Sequence, residues 1–300
     1  GTGNVGGACV RALSAAGANV KVLTRDPSSE KAQAIACLEG VTLVQGDFCE
    51  PSSLPSALDG VEAAFLGCSN FEGQVAAEKN LIDAAATSPS CAYLVKLGTC
   101  GTEGYTAKDS VIQYGQYHAE IEEYLSQVSE LKWTVLRPND FMQNHMGDIF
   151  GTLPMGIIAY PMDASSKATI VDTRDVGELA ANLLLSAGYD RHHTQKYDVC
   201  GPDPICTEQL ASMYTAALGR PIAAVSPPAS EWIAGAEKAG FPTWLANAVS
   251  LNFVQFWNLG KLDYPSSPEV LEVCAPKRTM EMWIAEHAPM SPPPQAAEPS

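Results

Sequence analysis

The chain has 300 residues, of which 18 are Lys or Arg and 34 are Asp or Glu, for a net charge of −16. Such a balance repels phosphate backbones, and with the basic residues scattered, an electrostatic grip on nucleic acid or an anionic membrane is excluded. At 46% hydrophobic and 17% charged residues, the chain can bury a large core, as one domain or two lobes.

It opens on Gly1-Thr2-Gly3-Asn4-Val5-Gly6-Gly7, followed by an Ala-rich amphipathic stretch that predicts a helix over 7–16. Short β-branched runs predict strands at 19–24, 41–44, 63–66, 92–97 and 133–136, separated by predicted helices at 29–38, 74–87 and 110–128. Strands alternating with helices imply an α/β fold with a doubly wound parallel sheet. Beyond Pro138 the regularity loosens into a Gly/Pro-rich loop at 151–161, a strand-like run at 168–171 and a helix at 175–187. A strand at 196–199, a helix at 207–218 and further helical pieces follow, to about His287. The expected organisation is a first lobe over 1–138, interleaved with parts of 168–200, then a smaller mixed, mainly helical lobe over 139–287. A Pro-rich tail over 288–300 is expected to be disordered. The longest uncharged stretch, 239–260, is broken by Pro242 and dotted with Asn247, Ser250, Asn252, Gln255 and Asn258, so it reads as an amphipathic helix of a globular protein. No apolar leader opens the chain, and nine cysteines without a CxxC pair fit neither a zinc module nor a disulfide framework; a cytoplasmic protein is expected.

Glycines in the opening segment permit a tight turn and let backbone N–H groups approach a pyrophosphate at the N-terminus of the following helix. Gly3 and Gly6 take the last two places of a GxxGxxG series, so a strand and one more glycine are expected ahead of Gly1. At the end of the strand over 19–24 stand Thr24-Arg25-Asp26. An acidic residue there suits the ribose 2′-OH of NAD, while Arg25, first after the strand, has the planar fork that suits a 2′-phosphate and favours NADP(H). In Gly46-Asp47-Phe48, Asp47 is placed either to accept from an adenine amino group or to cap the next turn.

These segments resemble the NmrA-like group of atypical short-chain dehydrogenases, closest to its quinone-reductase-like branch. The resemblance is carried by Thr2-Gly3-Asn4-Val5-Gly6-Gly7, Thr24-Arg25-Asp26, Gly46-Asp47-Phe48, Val95-Lys96-Leu97, the run from His118 to Leu125, and Trp133 to Asn139. Phe141 to Asn144, Val171 to Val176 and Tyr197 to Pro202 continue it in order. It implies a Rossmann lobe binding NAD(P) and a substrate cleft beneath the second lobe, in a family whose members reduce quinones or carbonyl-type compounds or only sense the cofactor. On that resemblance Gly1, Thr2, Gly3, Asn4, Val5 and Gly6 hold the pyrophosphate, Arg25 the 2′-phosphate, and Asp47 and Phe48 the adenine. Gly67, Cys68, Ser69, Lys96, Leu97, Gly98, Thr99, Pro138 and Asn139 border the ribose and nicotinamide, and Phe141 and Asn144 belong to the acceptor pocket.

Where typical short-chain dehydrogenases carry Tyr-x-x-x-Lys, this chain has Tyr114-Gly-Gln-Tyr-His118, two residues on one helical face. A mostly uncharged His cannot replace that Lys at neutral pH. His118 and Tyr114 are the candidates for substrate contact or proton delivery, against a reading in which both belong to the apolar stripe of Tyr114, Tyr117, Ile121, Tyr124 and Val128. His192 and His193 read as a solvated pair with no metal role. Cys49, Cys68 and Cys100 each follow a predicted strand, where ligands of open α/β sheets bind, and a thiol there could tie cofactor occupancy to redox state. The leading expectation is an NADP(H)-dependent oxidoreductase passing hydride to a small acceptor such as a quinone. The rival is a non-catalytic NADP(H) sensor acting on a protein partner or as a homodimer.

Overall fold

The computed structural model describes residues 1–293. The glycine-rich opening leads into α1 (Asn4–Ala15), followed by β1 (Val20–Thr24), α2 (Glu30–Ala36), β2 (Val41–Gln45), α3 (Leu54–Leu58), β3 (Ala63–Leu66), α4 (Gln74–Thr87), β4 (Tyr93–Leu97), α5 (Gln113–Ser126) and β5 (Lys132–Pro138). The second half adds α6 (Met146–Phe150), β6 (Ile157–Ala159), α7 (Thr173–Leu184), β7 (Gln195–Val199), α8 (Thr207–Leu218), β8 (Ala223–Val225), α9 (Ala229–Lys238), α10 (Thr243–Asn252), α11 (Pro268–Cys274) and α12 (Met280–His287). Strand order is β1-β2 in one sheet and β3-β4-β5-β7 in another, all pairs parallel; β6 and β8 form a third, parallel pair.

The alternation of side chains along the central strands explains the double winding. Tyr93, Val95, Leu136, Tyr197 and Val199 face Val5, Cys9, Val176 and Leu179 of α1 and α7. Leu94, Trp133 and Val135 face Leu81, Ile82, Ile121 and Leu125 of α4 and α5. Helix α7 lies hard against α1: a Cβ at Gly177 would stand 2.5 Å from Ala8 Cβ and 2.7 Å from the Cys9 nitrogen, so only glycine fits there. A separate aromatic core gathers Tyr160, Tyr214, Phe253, Trp257 and Trp283 from the second half of the chain and also takes in Tyr105, Ile112 and Tyr114.

Edge strands β1 and β3 are not hydrogen-bonded to each other. A cavity of about 980 Å³ lies between them, lined by Val20 and Val22 on one side, Ala63 and Phe65 on the other, and Val10 and Leu13 of α1.

Several expectations are corrected. The run 168–171 makes only isolated bridges, Ala168 to Ile205 and Phe141 to Val171, because its backbone serves three different segments. The loop 151–161 contains β6, and β8, α3 and α9 went unpredicted as separate elements. Helix α7 begins two residues before the predicted start because Asp172 caps it, Oδ1 accepting from the Arg174 nitrogen at 2.8 Å. The stretch 239–260 divides into α10, started after Pro242, and a π-helical turn over Phe253–Trp257 that buries Phe253, Phe256 and Trp257. Among the described residues no helix is long and apolar enough to cross a membrane. Ala288 is fully buried and Ala288–Met290 form a 3-10 turn, so the tail starts ordered; its residues 294–300 lie outside the described residues.

Candidate functional site

At the N-terminus of α1 the N-cap is Gly3, in extended conformation, and no side chain caps the helix. First-turn N–H groups have no intrahelical acceptor, so Asn4, Val5 and Gly6 offer donors, with the positive end of the helix dipole behind them. A Cβ at Gly3 would meet nothing within 4 Å, whereas one at Gly6 would come within 3.2–3.3 Å of the Gly1 backbone. Open space outside Gly3 and close backbone packing inside Gly6 are what a bound diphosphate requires, and the cradle fits such a group.

The 980 Å³ cavity reaches from this turn along the C-terminal ends of the strands. It is lined there by Gly1, Gly3, Asn4, Val5, Gly6, Phe48, Gly67, Cys68, Ser69, Leu97 and Phe141, all expected from the sequence, and by Thr173, for which no role was foreseen. Thr173 could have been found in the Val171-Asp172-Thr173-Arg174 segment that carried the resemblance. Thr2, Arg25, Asp47, Lys96, Gly98, Thr99, Pro138, Asn139 and Asn144 do not line it. Asn139 is buried and its amide is spent on the Leu262 carbonyl at 2.8 Å and the Thr169 hydroxyl at 3.1 Å, tying β5 to the second lobe. Asn144 is exposed and hydrogen-bonded to Asp140.

Arg25 is exposed at the end of β1, and no ion pair holds its guanidinium among the described residues. Asp26 Oδ1 accepts from the Ser28 hydroxyl at 2.6 Å and the Ser28 nitrogen at 2.8 Å, bonds that lower its pKa and leave its second oxygen over. Asp47 starts the next turn, Oδ1 accepting from the Cys49 nitrogen at 2.9 Å, as the capping alternative has it, with its second oxygen left over. Asn80 Nδ2 donates to the Phe48 carbonyl at 2.8 Å and fixes the loop between them.

His118 and Tyr114 are both buried, 4% and 7% exposed, and neither lines the cavity. Tyr114 Oη is 2.9 Å from Tyr105 Oη, and burial pushes its pKa up. His118 belongs to a buried polar cluster under β4. Its Nδ1 is 3.0 Å from Lys96 Nζ, which also reaches Glu78 Oε2 at 3.1 Å and the Leu97 carbonyl at 2.9 Å. Gln74 Nε2 donates to Glu78 Oε1 at 2.8 Å. Burial, then the charges of Lys96 and Arg137, hold the His118 pKa well below 6.5, so the imidazole is neutral and accepts from Lys96. Sequence reasoning missed this cluster; its signal was a lysine inside the otherwise apolar strand Tyr93–Leu97.

Of the three cysteines placed near strand ends, only Cys68 lines the cavity. Burial raises its thiol to about 11, and Cys100, buried against Tyr264 Oη at 3.1 Å, is likewise raised to about 11. Both are protonated and poor nucleophiles at neutral pH. The histidine pair is not solvated: His192 is buried with Nδ1 2.9 Å from Tyr197 Oη, and His193 Nδ1 accepts from the Trp133 nitrogen. No metal-binding cluster occurs among the described residues.

The sequence model of the NmrA-like family matches residues 1–283. The chain belongs to the NmrA-like family. It is 31% identical over 293 residues to an NAD(P)H azoreductase from Xenophilus azovorans, covering 96% of each chain. Its fold is similar to the NADPH-dependent quinone oxidoreductase of Escherichia coli solved with NADPH, with a TM-score of 0.79 at 22% identity and 96% of each chain covered. It is also similar to NmrA, a negative transcriptional regulator solved with NADP, with a TM-score of 0.77 at 17% identity, covering 96% of this chain and 93% of that one. The NmrA-like fold thus hosts reductases and a regulator alike, and the chemistry must be argued from the site.

Proposed function

We propose that the protein is an NADP(H)-dependent reductase that passes hydride to a small acceptor such as a quinone, azo or carbonyl compound. The observation that carries this reading is the uncapped glycine turn of α1 opening onto a cavity along the carboxyl ends of parallel strands. The azoreductase relative supports the reductase class. Gly1 to Gly6 hold the pyrophosphate, the unpaired Arg25 selects the 2′-phosphate, and Phe48 with the free Asp47 oxygen contacts the adenine. Gly67, Cys68, Ser69, Leu97 and Phe141 flank the ribose and nicotinamide, and Phe141 with the second lobe covers the acceptor. A bound reduced nicotinamide supplies the hydride; the side chains around it orient and exclude water. Lys96, Gly98, Thr99, Pro138, Asn139, His118 and Tyr114 shape the site from behind its lining.

A second reading, a sensor of NADP(H) acting through a protein partner, draws on one feature. Among the described residues, the cavity lining around the strand ends offers no imidazole or carboxylate for proton transfer, only the Ser69 and Thr173 hydroxyls and the raised Cys68 thiol. Mixing the protein with NADPH and a panel of quinones, azo dyes and aldehydes, while following nicotinamide absorbance, separates the two. Oxidation of NADPH dependent on one acceptor class supports the reductase; tight binding without turnover across the panel supports the sensor.

A further inference from the structure

The first turn of α7 reaches the large cavity from beside α1. Both helices lead into strands that run parallel to their neighbours, so both start at the carboxyl edge of the sheets. Gly177, where α7 touches Val5, Ala8 and Cys9 of α1, lies one helical turn beyond Thr173. Thr173 therefore stands beside the first turn of α1, and it lines the cavity together with Gly3, Asn4, Leu97 and Phe141. The Phe141 to Val171 bridge and the packing of α7 on β4 and β5 set it at the β4 and β5 end, whereas Phe48 follows β2.

One polar group on this turn is left over. Thr173 is 3% exposed, and its Oγ1 has no hydrogen bond among the described residues, yet it is not one of the polar atoms sealed in the interior. The Thr173 N–H donates to Gln143 Oε1 at 2.9 Å, and Gln143 Nε2 donates to Asp172 Oδ1 at 2.9 Å. Asp172, fully buried, also accepts the Arg174 N–H at 2.8 Å and pairs with the Arg174 guanidinium. The Asp175 and Val176 N–H groups share the Asp172 carbonyl, at 3.0 and 3.3 Å. The start of α7, unlike that of α1, thus keeps no N–H for an anion. A single hydroxyl, able to donate or accept, suits an uncharged polar group, and Leu97 and Phe141 at the same end offer apolar surface to a flat ring.

We propose that Thr173 Oγ1 holds the carboxamide of the nicotinamide and so fixes how the ring lies for hydride transfer, with Gln143 and Asp172 as positioning residues that hold the turn. The assignment rests on the dinucleotide reading: a diphosphate at α1 with its 2′-phosphate towards Arg25 sends the nicotinamide to the β4 and β5 end. Wild type, Thr173→Val and Thr173→Ser are titrated calorimetrically, as full chains, with NADPH and with 2′-phospho-ADP-ribose, which lacks the nicotinamide, and their melting temperatures are compared. Thr173→Val, of nearly the same shape without the hydroxyl, binds NADPH roughly three- to tenfold more weakly, the effect of one neutral hydrogen bond. Its affinity for 2′-phospho-ADP-ribose and its melting temperature stay close to those of the wild type, and Thr173→Ser keeps most of the NADPH affinity. Unchanged NADPH affinity in Thr173→Val, an equal loss for both nucleotides, or a Ser variant as weak as the Val variant would overturn the assignment and leave the dinucleotide reading standing. Wild-type protein that binds neither nucleotide would overturn that reading and this assignment with it.

Discussion

On the proposed reading, Arg25 is a local cation that offsets a net charge of −16. Among the described residues its guanidinium has no ion-pair partner, and the neighbouring Asp26 is bonded through Oδ1 to Ser28 rather than to Arg25. Replacing Arg25 with Ala should weaken NADPH binding by about tenfold or more, the worth of charge-assisted hydrogen bonds, and leave NADH affinity nearly unchanged. Fluorescence titrations with both nucleotides check this; an equal loss for both would remove the 2′-phosphate assignment. His118 makes the opposite point, since its type and spacing suggested chemistry and its surroundings assign it to structure. Its folded-state pKa lies well below 6.5 because of burial and the adjacent Lys96 and Arg137 charges. Below pH 6.5 the unfolded chain takes up this proton and the folded chain does not, so stability is complete above that pH and falls beneath it. The loss is on the order of 1 kcal/mol over the first pH unit, with His192, also lowered by burial, adding in the same direction. Urea unfolding at pH 7.5 and 5.5 should show a smaller drop for His118→Gln than for the wild type.

At the scale of elements, packing explains both what the sequence revealed and what it hid. Strands β1 to β5 were legible because each is a short, mainly apolar run, β-branched or aromatic in part, between turn residues, and α4 was predicted to the residue. The short pairing of β6 with β8 was not, since three residues from distant places carry no periodicity. The contact of α1 with α7 was equally invisible, because it hangs on a single missing side chain at Gly177. Gly177→Ala pushes a methyl into the Cys9 nitrogen and Val5 carbonyl, which cannot yield, and should cost roughly 1–3 kcal/mol, read as a lowered melting temperature. Gly147→Ala, where a Cβ meets nothing within 4 Å on α6, is the control and should be neutral or slightly stabilising.

Across the whole molecule, the proposed cofactor cradle stands out in the sequence because it lies in one continuous segment, Gly1 to Gly7, in a fold that fixes where ligands bind. The buried Glu78, Lys96, His118 and Gln74 cluster was not, since it joins α4, β4 and α5 only after folding. The split sheet has a dynamic consequence. Strands β4 and β5 are paired on both sides, whereas β1 and β3 each present an unpaired edge to the large cavity. Amide hydrogen exchange should therefore be slowest in β4 and β5 and markedly faster in β1 and β3; equal protection in all four would show the two sheets to be joined in solution. The central claim is that the bare N-terminus of α1 holds a dinucleotide diphosphate, and Gly3→Ala tests it most directly. The added methyl meets nothing in the protein but occupies the space in front of the helix. Calorimetric titration with NADPH, run beside thermal melting, should show saturable binding by the wild type, a loss of about tenfold or more in the variant, and nearly equal melting temperatures. Wild-type protein that fails to bind NADPH, or a Gly3→Ala variant that binds it equally well, would contradict the account.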